Sequence, residues 1–327
     1  MSARVEGVLP FWLDRPAAEA LDVAAAVQRA GLQGLWIGEL QSFDAFALAT
    51  AVGGRAPGLP LTVGPLAVGV RSPAALALGL RSVATLTGSP VALALGASSP
   101  VIVTGWHDRD RAHAASRTRE TIAALRPILA GERAAFDGAH VRTHGFRLRE
   151  PLSDTRIAAA ALGPAMTRVA ARHADQVVLN LVPPEHVRAV RATVDAEAQA
   201  AGRTPPELAV WVPAALEPGP AARAQLAAQL AIYLGAPGYG ELFASLGYGA
   251  LVERARAGSR RAELADAVPL ELLERVGALG SAEAVAARIA AYHDAGADTV
   301  GVAPSTAEDP RGSGVLAALS PTKELAP

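Results

Sequence analysis

Side chains able to do acid–base or ligand chemistry are thinly spread along this chain, and the missing types are informative. There is no cysteine, which removes disulfides, iron–sulfur clusters, thiolate zinc sites and cysteine nucleophiles and fits a reducing compartment. The single lysine is Lys323, in a Pro-containing stretch near the C-terminus. A P-loop, a pyridoxal site and a Schiff-base aldolase each need an ordered lysine, so this argues against all three. Glu39 follows the apolar run Leu35-Trp36-Ile37-Gly38, and His107 follows Thr104-Gly105-Trp106. Each is a candidate acid, base or orienting partner; the bland alternatives are a rim ion pair for Glu39 and a solvated loop position for His107. His107, Asp108, Asp110 and His113 place nitrogen and oxygen ligands close together, but their spacing fits no common metal site. A solvated helix start explains this arginine-rich run better, and no metal is expected.

Gly163-Pro164-Ala165-Met166 opens a helix directly after an apolar run, with Pro at an early position where its missing N–H costs nothing. The amides of Ala165 and Met166 would then face outward with the positive end of the helix dipole, a place for a phosphate, although a plain turn reads equally well locally. No Gly-x-Gly-x-x-Gly opens a helix, so a Rossmann-type dinucleotide site is not supported. Gly96-Ala97-Ser98-Ser99-Pro100 resembles a nucleophile elbow only superficially, because Gly-x-Ser-x-Gly fails at Pro100.

The elements that must position these residues recur as a unit: an Ala-rich amphipathic helix, a Gly or polar turn, then a short β-branched run. Ala30-Gly31-Leu32-Gln33-Gly34 leads into Leu35-Trp36-Ile37, His173-Ala174-Asp175-Gln176 into Val177-Val178-Leu179, and Ala295-Gly296-Ala297-Asp298 into Thr299-Val300-Gly301-Val302. Gly31 and Gly296 fall where a helix end needs a left-handed residue. Continuous apolar strands suit parallel pairing buried on both faces. Further strands are predicted at Val5 to Leu9, Leu61 to Val68, Val91 to Leu95, Ile157 to Ala161 and Leu208 to Val212. Eight βα units favour a closed (β/α)8 TIM barrel of the α/β class over an open sheet. The barrel is expected over 1–304, with a hairpin excursion from Gly131 to Pro151, an extra helical block at about 217–279, and a C-terminal tail at 305–327 that is either loose or a partner-contacting arm. Active sites of such barrels lie at the C-terminal ends of the strands, which here are short of acids and bases. That suits hydride transfer, where a cofactor carries the hard chemistry, better than hydrolysis.

The 30 Lys plus Arg residues against 31 Asp plus Glu give no broad basic field, so nucleic acid and acidic lipid are poor partners. Met1-Ser2-Ala3-Arg4 starts no signal-like pattern, and no run of about 18 apolar residues free of charge appears. The expectation is a soluble, cytoplasmic enzyme without membrane contact.

Six ordered motifs resemble the bacterial luciferase-like superfamily and, within it, the F420 (deazaflavin) dependent oxidoreductases. They are Gln28-Arg29-Ala30-Gly31-Leu32-Gln33-Gly34-Leu35-Trp36-Ile37-Gly38-Glu39; Asp44 to Ala51; Leu61-Thr62-Val63-Gly64-Pro65 through Arg71-Ser72-Pro73; Leu93-Ala94-Leu95-Gly96-Ala97-Ser98; Ala161-Leu162-Gly163-Pro164-Ala165-Met166 with Ala174-Asp175; and Leu279-Gly280-Ser281-Ala282-Glu283-Ala284-Val285 leading to Asp294-Ala295-Gly296-Ala297-Asp298. The resemblance covers nearly the whole chain.

What the resemblance implies is an oxidoreductase moving a hydride between coenzyme F420 and a small organic substrate. The alternatives are an FMN-dependent monooxygenase of the same fold and a catalytically weak cofactor-binding protein. It implies a non-prolyl cis peptide near Leu66-Ala67 behind the cofactor ring, Ser98 and Ser99 close to the ring or its tail, and phosphate binding by Gly163, Pro164, Ala165 and Met166. It also implies a homodimer through helices beside strands two and three, where Ala74 to Leu86 is rich in Ala and Leu. The sequence departs from the family at Glu39-Leu40, where a histidine usually follows the acid, at Ser98-Ser99, where some relatives carry an acid, and at Thr87-Gly88-Ser89-Pro90. His107 is then the best substitute proton donor.

Overall fold

The computed structural model describes residues 3–321; Lys323 and the rest of the expected tail beyond Pro321 lie outside them. Eight parallel strands form a closed barrel: β1 (Arg4–Val8), β2 (Leu35–Ile37), β3 (Leu61–Ala67), β4 (Val91–Gly96), β7 (Ile157–Ala160), β8 (Gln176–Asn180), β9 (Glu207–Leu216) and β11 (Thr299–Pro304). They run in the order β9-β11-β1-β2-β3-β4-β7-β8, and β8 pairs with β9 to close the ring. These are the eight runs read from the sequence. Between β4 and β7, β5 (Ala135–Asp137) and β6 (Arg142–His144) form the antiparallel hairpin excursion. A short strand β10 (Ala278–Gly280) pairs in parallel with the end of β9.

By internal contacts the chain divides into two compact units, each assembled from separate stretches of chain. One comprises residues 34–178 and 192–208. Its β2, β3, β4 and β7 are buried because their sequences are apolar at nearly every position: Trp36, Ile37, Val63, Leu93 and Ile157 are each 0% exposed. Burying each such side chain contributes about 1.5–3 kcal/mol, which is why single residues here matter to stability. Helix α2 (Ala45–Arg55) starts at Asp44, whose carboxylate accepts from the amides of Phe46 and Ala47. Helix α3 (Pro73–Thr87) starts at Ser72, whose hydroxyl accepts from the Ala75 amide. After α4 (Ala114–Leu129), the hairpin is fixed by a buried acid: Glu120 accepts from the amides of His140 (2.7 Å) and Val141 (3.0 Å). Burial alone would push the Glu120 carboxyl up, but those amides and that of Ala139 outweigh it and hold it below the usual range. Helix α5 (Pro164–His173) follows β7.

The other unit comprises residues 1–33, 179–191 and 209–327. It contains α1 (Glu19–Arg29), the start of α6 (Pro184–Ala200), and β9, β10 and β11. Between β9 and β10 lie α7 (Pro220–Ala231), α8 (Tyr239–Phe243), α9 (Gly249–Arg256), α10 (Arg261–Asp266) and α11 (Leu270–Val276), packed around Leu230, Leu234, Phe243, Leu272 and Val276. The chain then passes through α12 (Ala282–Asp294) into β11. Gly31 and Gly296 take the left-handed conformation their positions asked for, with φ of 69° and 102°.

The expectation of a loose tail after Pro304 is corrected as far as residue 321. Ser305 and Thr306 are each 1% exposed, and α13 (Ser313–Ala318) buries Val315 and Leu316 completely. Gln225 binds this segment, accepting from Ser305 Oγ (2.8 Å) and the Thr306 amide (3.0 Å) while its Nε2 donates to Asp14. Polar composition had suggested solvent exposure; a satisfied hydrogen-bond network buries the same residues instead.

Candidate active site at the strand ends

The residues singled out from the sequence all fall in the unit that holds β2, β3, β4 and β7. In β3 the parallel register runs Leu61↔Val91, Thr62↔Ala92, Val63↔Leu93, then resumes at Leu66↔Leu95 and Ala67↔Gly96. Three steps along β3 therefore match two along β4, so Gly64-Pro65 forms a bulge. Gly64 has φ of +124°, and a Cβ there would run into the Ala94 carbonyl and sit 2.8 Å from the Leu66 amide nitrogen, so only glycine fits. The cis peptide is Gly64–Pro65, which corrects the expected non-prolyl bond at Leu66-Ala67. An X–Pro bond adopts cis far more readily than any other. Leu66 is 1% exposed and Ala67 half-buried, both back in regular pairing. A Cβ on Gly96 would lie 3.3 Å from Pro65 and from Ala160. The ends of β3, β4 and β7 therefore present side chains no larger than Pro and Ala at this point.

Beyond β4 the backbone is held in less common conformations. Ser98 is left-handed, with φ of 55°, and its carbonyl accepts from Arg111 Nε at 2.8 Å. Ser99 Oγ accepts from the Ile102 amide at 3.3 Å, starting a π-helix over Val101–Trp106. Such turns are frequent at functional sites. His107 follows it, is exposed, and makes no hydrogen bond through its ring among the described residues. Of the run that follows, Asp110 accepts from the Ala112 amide, and His113 stacks on His140 with ring centroids 4.7 Å apart.

Helix α5 begins with an unfilled first turn. Gly163 is extended (φ −96°, ψ 161°), provides no side-chain cap, and a Cβ added there would meet nothing within 4 Å. Among the described residues the amides of Ala165 and Met166 have no acceptor. Thr118 of α4 approaches this turn, its hydroxyl 3.9 Å from Met166 Sδ. One residue earlier, Arg117 donates to the His140 carbonyl (3.3 Å) and keeps a buried Nε with no acceptor among the described residues.

Glu39 does not stand as an isolated acid. Its Oε2 accepts from Arg71 at 2.8 Å, and its Oε1 accepts from Arg71 at 2.6 Å and from the Ala45 amide at 3.1 Å. Arg71 also donates to Asp44 at 2.5 Å and lies over the Phe46 ring, 5.5 Å from its centroid. The hydrogen bonds that Arg71 donates to Glu39 raise the guanidinium pKa further. Burial would raise the Asp44 carboxyl, but the amides of Ala47 and Phe46 and the Arg71 charge together hold it below the usual range. Sequence reasoning passed over Arg71, Arg111 and Arg117 as functional residues. Arg71 did carry a signal, standing two residues before a helix-opening proline in one of the quoted motifs.

Small, carboxylate-free strand ends beside an open helix N-terminus and two guanidinium groups suit a flat ring system with an anionic tail. Residues 6–299 match the family model described as luciferase-like monooxygenase. The chain belongs to that family. This makes it a member of an oxidoreductase family. Among curated proteins it is 34% identical over 116 residues to a 5,10-methylenetetrahydromethanopterin reductase from Methanolobus tindarius, a match spanning 35% of this chain and 36% of that protein. The chain thus covers about a third of that relative's length. Among solved structures, the coenzyme F420 dependent tetrahydromethanopterin reductase from Methanopyrus kandleri superposes over 100% of both chains with a TM-score of 0.82 at 16% identity. The oxygenating constituent of 3,6-diketocamphane monooxygenase from Pseudomonas putida, a type II Baeyer–Villiger monooxygenase in complex with FMN, gives 0.70 at 18% identity, over 98% of this chain and 97% of that one. At these identities the structural likenesses speak for the shared barrel. Among the described residues no helix is long and apolar enough to cross a membrane.

Proposed function

We propose that this enzyme transfers a hydride between coenzyme F420 and a small organic substrate. The observation that carries the reading is the open first turn of α5 at Gly163, beside strand ends built from Pro65, Gly96 and Ala160. When bound, F420 supplies a two-electron hydride at its deazaflavin ring. The bulge at Gly64-Pro65, with Leu66 and Ala67 behind it, backs the ring, and Ser98 and Ser99 border it. Gly163, Pro164, Ala165 and Met166 hold the phosphate, with the helix dipole and two N–H groups favouring its charge. Arg111 fixes the Ser98 carbonyl and so the shape of that border. Glu39, with both oxygens engaged by Arg71 and Ala45, orients the loop after β2 and does not shuttle protons. His107, whose ring is unengaged, is the proton donor in this reading.

The FMN-bound monooxygenase among the structural neighbours favours a second reading, an FMN-dependent monooxygenase. Titrating the protein with F420 and with FMN, followed by absorbance and fluorescence, separates the two. F420 binding with hydride transfer and no oxygen consumption supports the first reading; FMN preference with oxygen uptake sinks it. Tight F420 binding without turnover of any acceptor points to a cofactor-binding protein. We also propose a homodimer through α3, where Leu78 and Leu86 are 52% and 72% exposed, and a cytoplasmic setting in keeping with the cysteine-free composition. A monomeric mass by light scattering at working concentration argues against the dimer.

A further inference from the structure

Helix α7 opens under Glu308, whose carboxylate accepts from the amides of Gly219 (2.7 Å) and Ala221 (3.0 Å). An acid is the charge that a helix N-terminus favours. Arg223, in the same first turn, is the charge it disfavours. Arg223 Nε donates to the Pro218 carbonyl at 2.8 Å, and its two terminal nitrogens have no acceptor among the described residues. Asp266 repeats the mismatch with the opposite sign. It is the last residue of α10, where the dipole opposes an acid, and its carboxylate has no donor and no ion-pair partner among the described residues. Both side chains are exposed. Neither charge helps its own helix, and polar residues that break a local rule without a structural return mark positions kept for another purpose.

Arg223 and Asp266 meet at one cavity of about 230 Å³, open to solvent, whose apolar wall includes Ala227, Ala265, Val268 and Leu273. Ala227 and Leu273 are buried, at 7% and 5% exposed, so the floor is fixed by the core of the helical block. A rounded cavity of that volume is about 8 Å across, which two charge-assisted hydrogen bonds and the short span between an ammonium and a carboxylate on one carbon can bridge. One unpaired cation, one unpaired anion and an aliphatic wall select a zwitterion with an aliphatic side chain. We propose that this cavity binds a branched aliphatic α-amino acid, its carboxylate on Arg223, its ammonium on Asp266 and its side chain against Ala227, Val268 and Leu273. None of these residues is among those given to the cofactor, so the site stands or falls independently of the hydride-transfer reading.

The test titrates the full-length protein by calorimetry with L-leucine, with 4-methylpentanoate, which lacks the ammonium, with isopentylamine, which lacks the carboxylate, and with glycine, which lacks the side chain. The expected result is saturable leucine binding with a dissociation constant on the order of 1 mM, since both charges stay partly solvated, and roughly tenfold weaker binding of each of the other three. Arg223→Gln should remove the preference for leucine over isopentylamine and keep part of that over 4-methylpentanoate. Asp266→Asn should do the reverse. Exchange of the two effects cannot come from a general loss of structure, and melting curves confirm that both variants are folded. No saturable leucine binding to the unmodified protein overturns the proposal. Equal affinity for leucine and the two single-charge probes, or a leucine affinity unchanged in both variants, overturns it as well.

Discussion

Helices α2 and α5 both start just beyond a barrel strand in the same unit, and their first turns are built in opposite ways. At α2 the donors are consumed internally: Asp44 takes the amides of Phe46 and Ala47, Glu39 takes that of Ala45, and Arg71 joins the two acids. At α5 Gly163 brings no side chain, leaves space where one would go, and lets the dipole end stand open. The first arrangement stabilises a loop; the second leaves donors for an outside anion at the cost of a cap that would contribute about 1 kcal/mol. Charged residues at a barrel mouth are therefore a poor guide to the ligand site unless their partners are known.

The strongest way to break this contrast is to give α5 the cap that α2 has. Gly163→Asp fits the extended backbone and the free space, so the fold should gain up to about 1 kcal/mol while F420 affinity falls by roughly 100-fold, because a carboxylate then competes with the phosphate. Calorimetric titration and a denaturation curve read both effects; unchanged affinity would place the phosphate elsewhere. Arg71→Ala attacks the other end, leaving Glu39 half-buried without its partner, and should cost about 1–3 kcal/mol in urea unfolding. A shifted pH–rate profile with unchanged stability would instead restore Glu39 as an acid or base.

Asp44→Ala should cost about 1 kcal/mol as a lost cap. The folded Asp44 carboxyl lies below its unfolded value, so its contribution is complete above the ordinary carboxylate range and disappears as acid protonates the folded form, below about pH 4. The difference between Asp44→Ala and the parent should vanish there. A difference that persisted at lower pH would mean the side chain acts through packing. The smallest structural effect belongs to His107→Ala, within about 0.5 kcal/mol for an exposed side chain. Single-turnover kinetics should nevertheless slow, and unchanged rates would remove His107 as proton donor.

The eight strands were readable because parallel strands buried on both faces leave unbroken apolar runs, as in Leu35-Trp36-Ile37, and because Gly31 and Gly296 mark helix ends with a conformation other residues resist. The hairpin between Gly131 and Pro151 and the start of α5 at Gly163-Pro164 were equally local. Burial of Ser305 and Thr306 was not readable, since it depends on Gln225, 80 and 81 residues away in the chain. For Glu39 the sequence offered a rim ion pair as one of two readings, but not its partner, Arg71, which lies 32 residues further on.

Local pattern determined which segments became strands and helices and where glycine was obligatory, because backbone preference and the period of apolar residues act over a few positions. Tertiary structure decided which polar groups are consumed and which stay available, among them Glu39 with Arg71, Gln225 with Ser305 and Thr306, and the unfilled turn at Gly163. Hydrogen bonds form between groups that folding brings together, so whether a donor is met is a property of the folded neighbourhood and not of the residue.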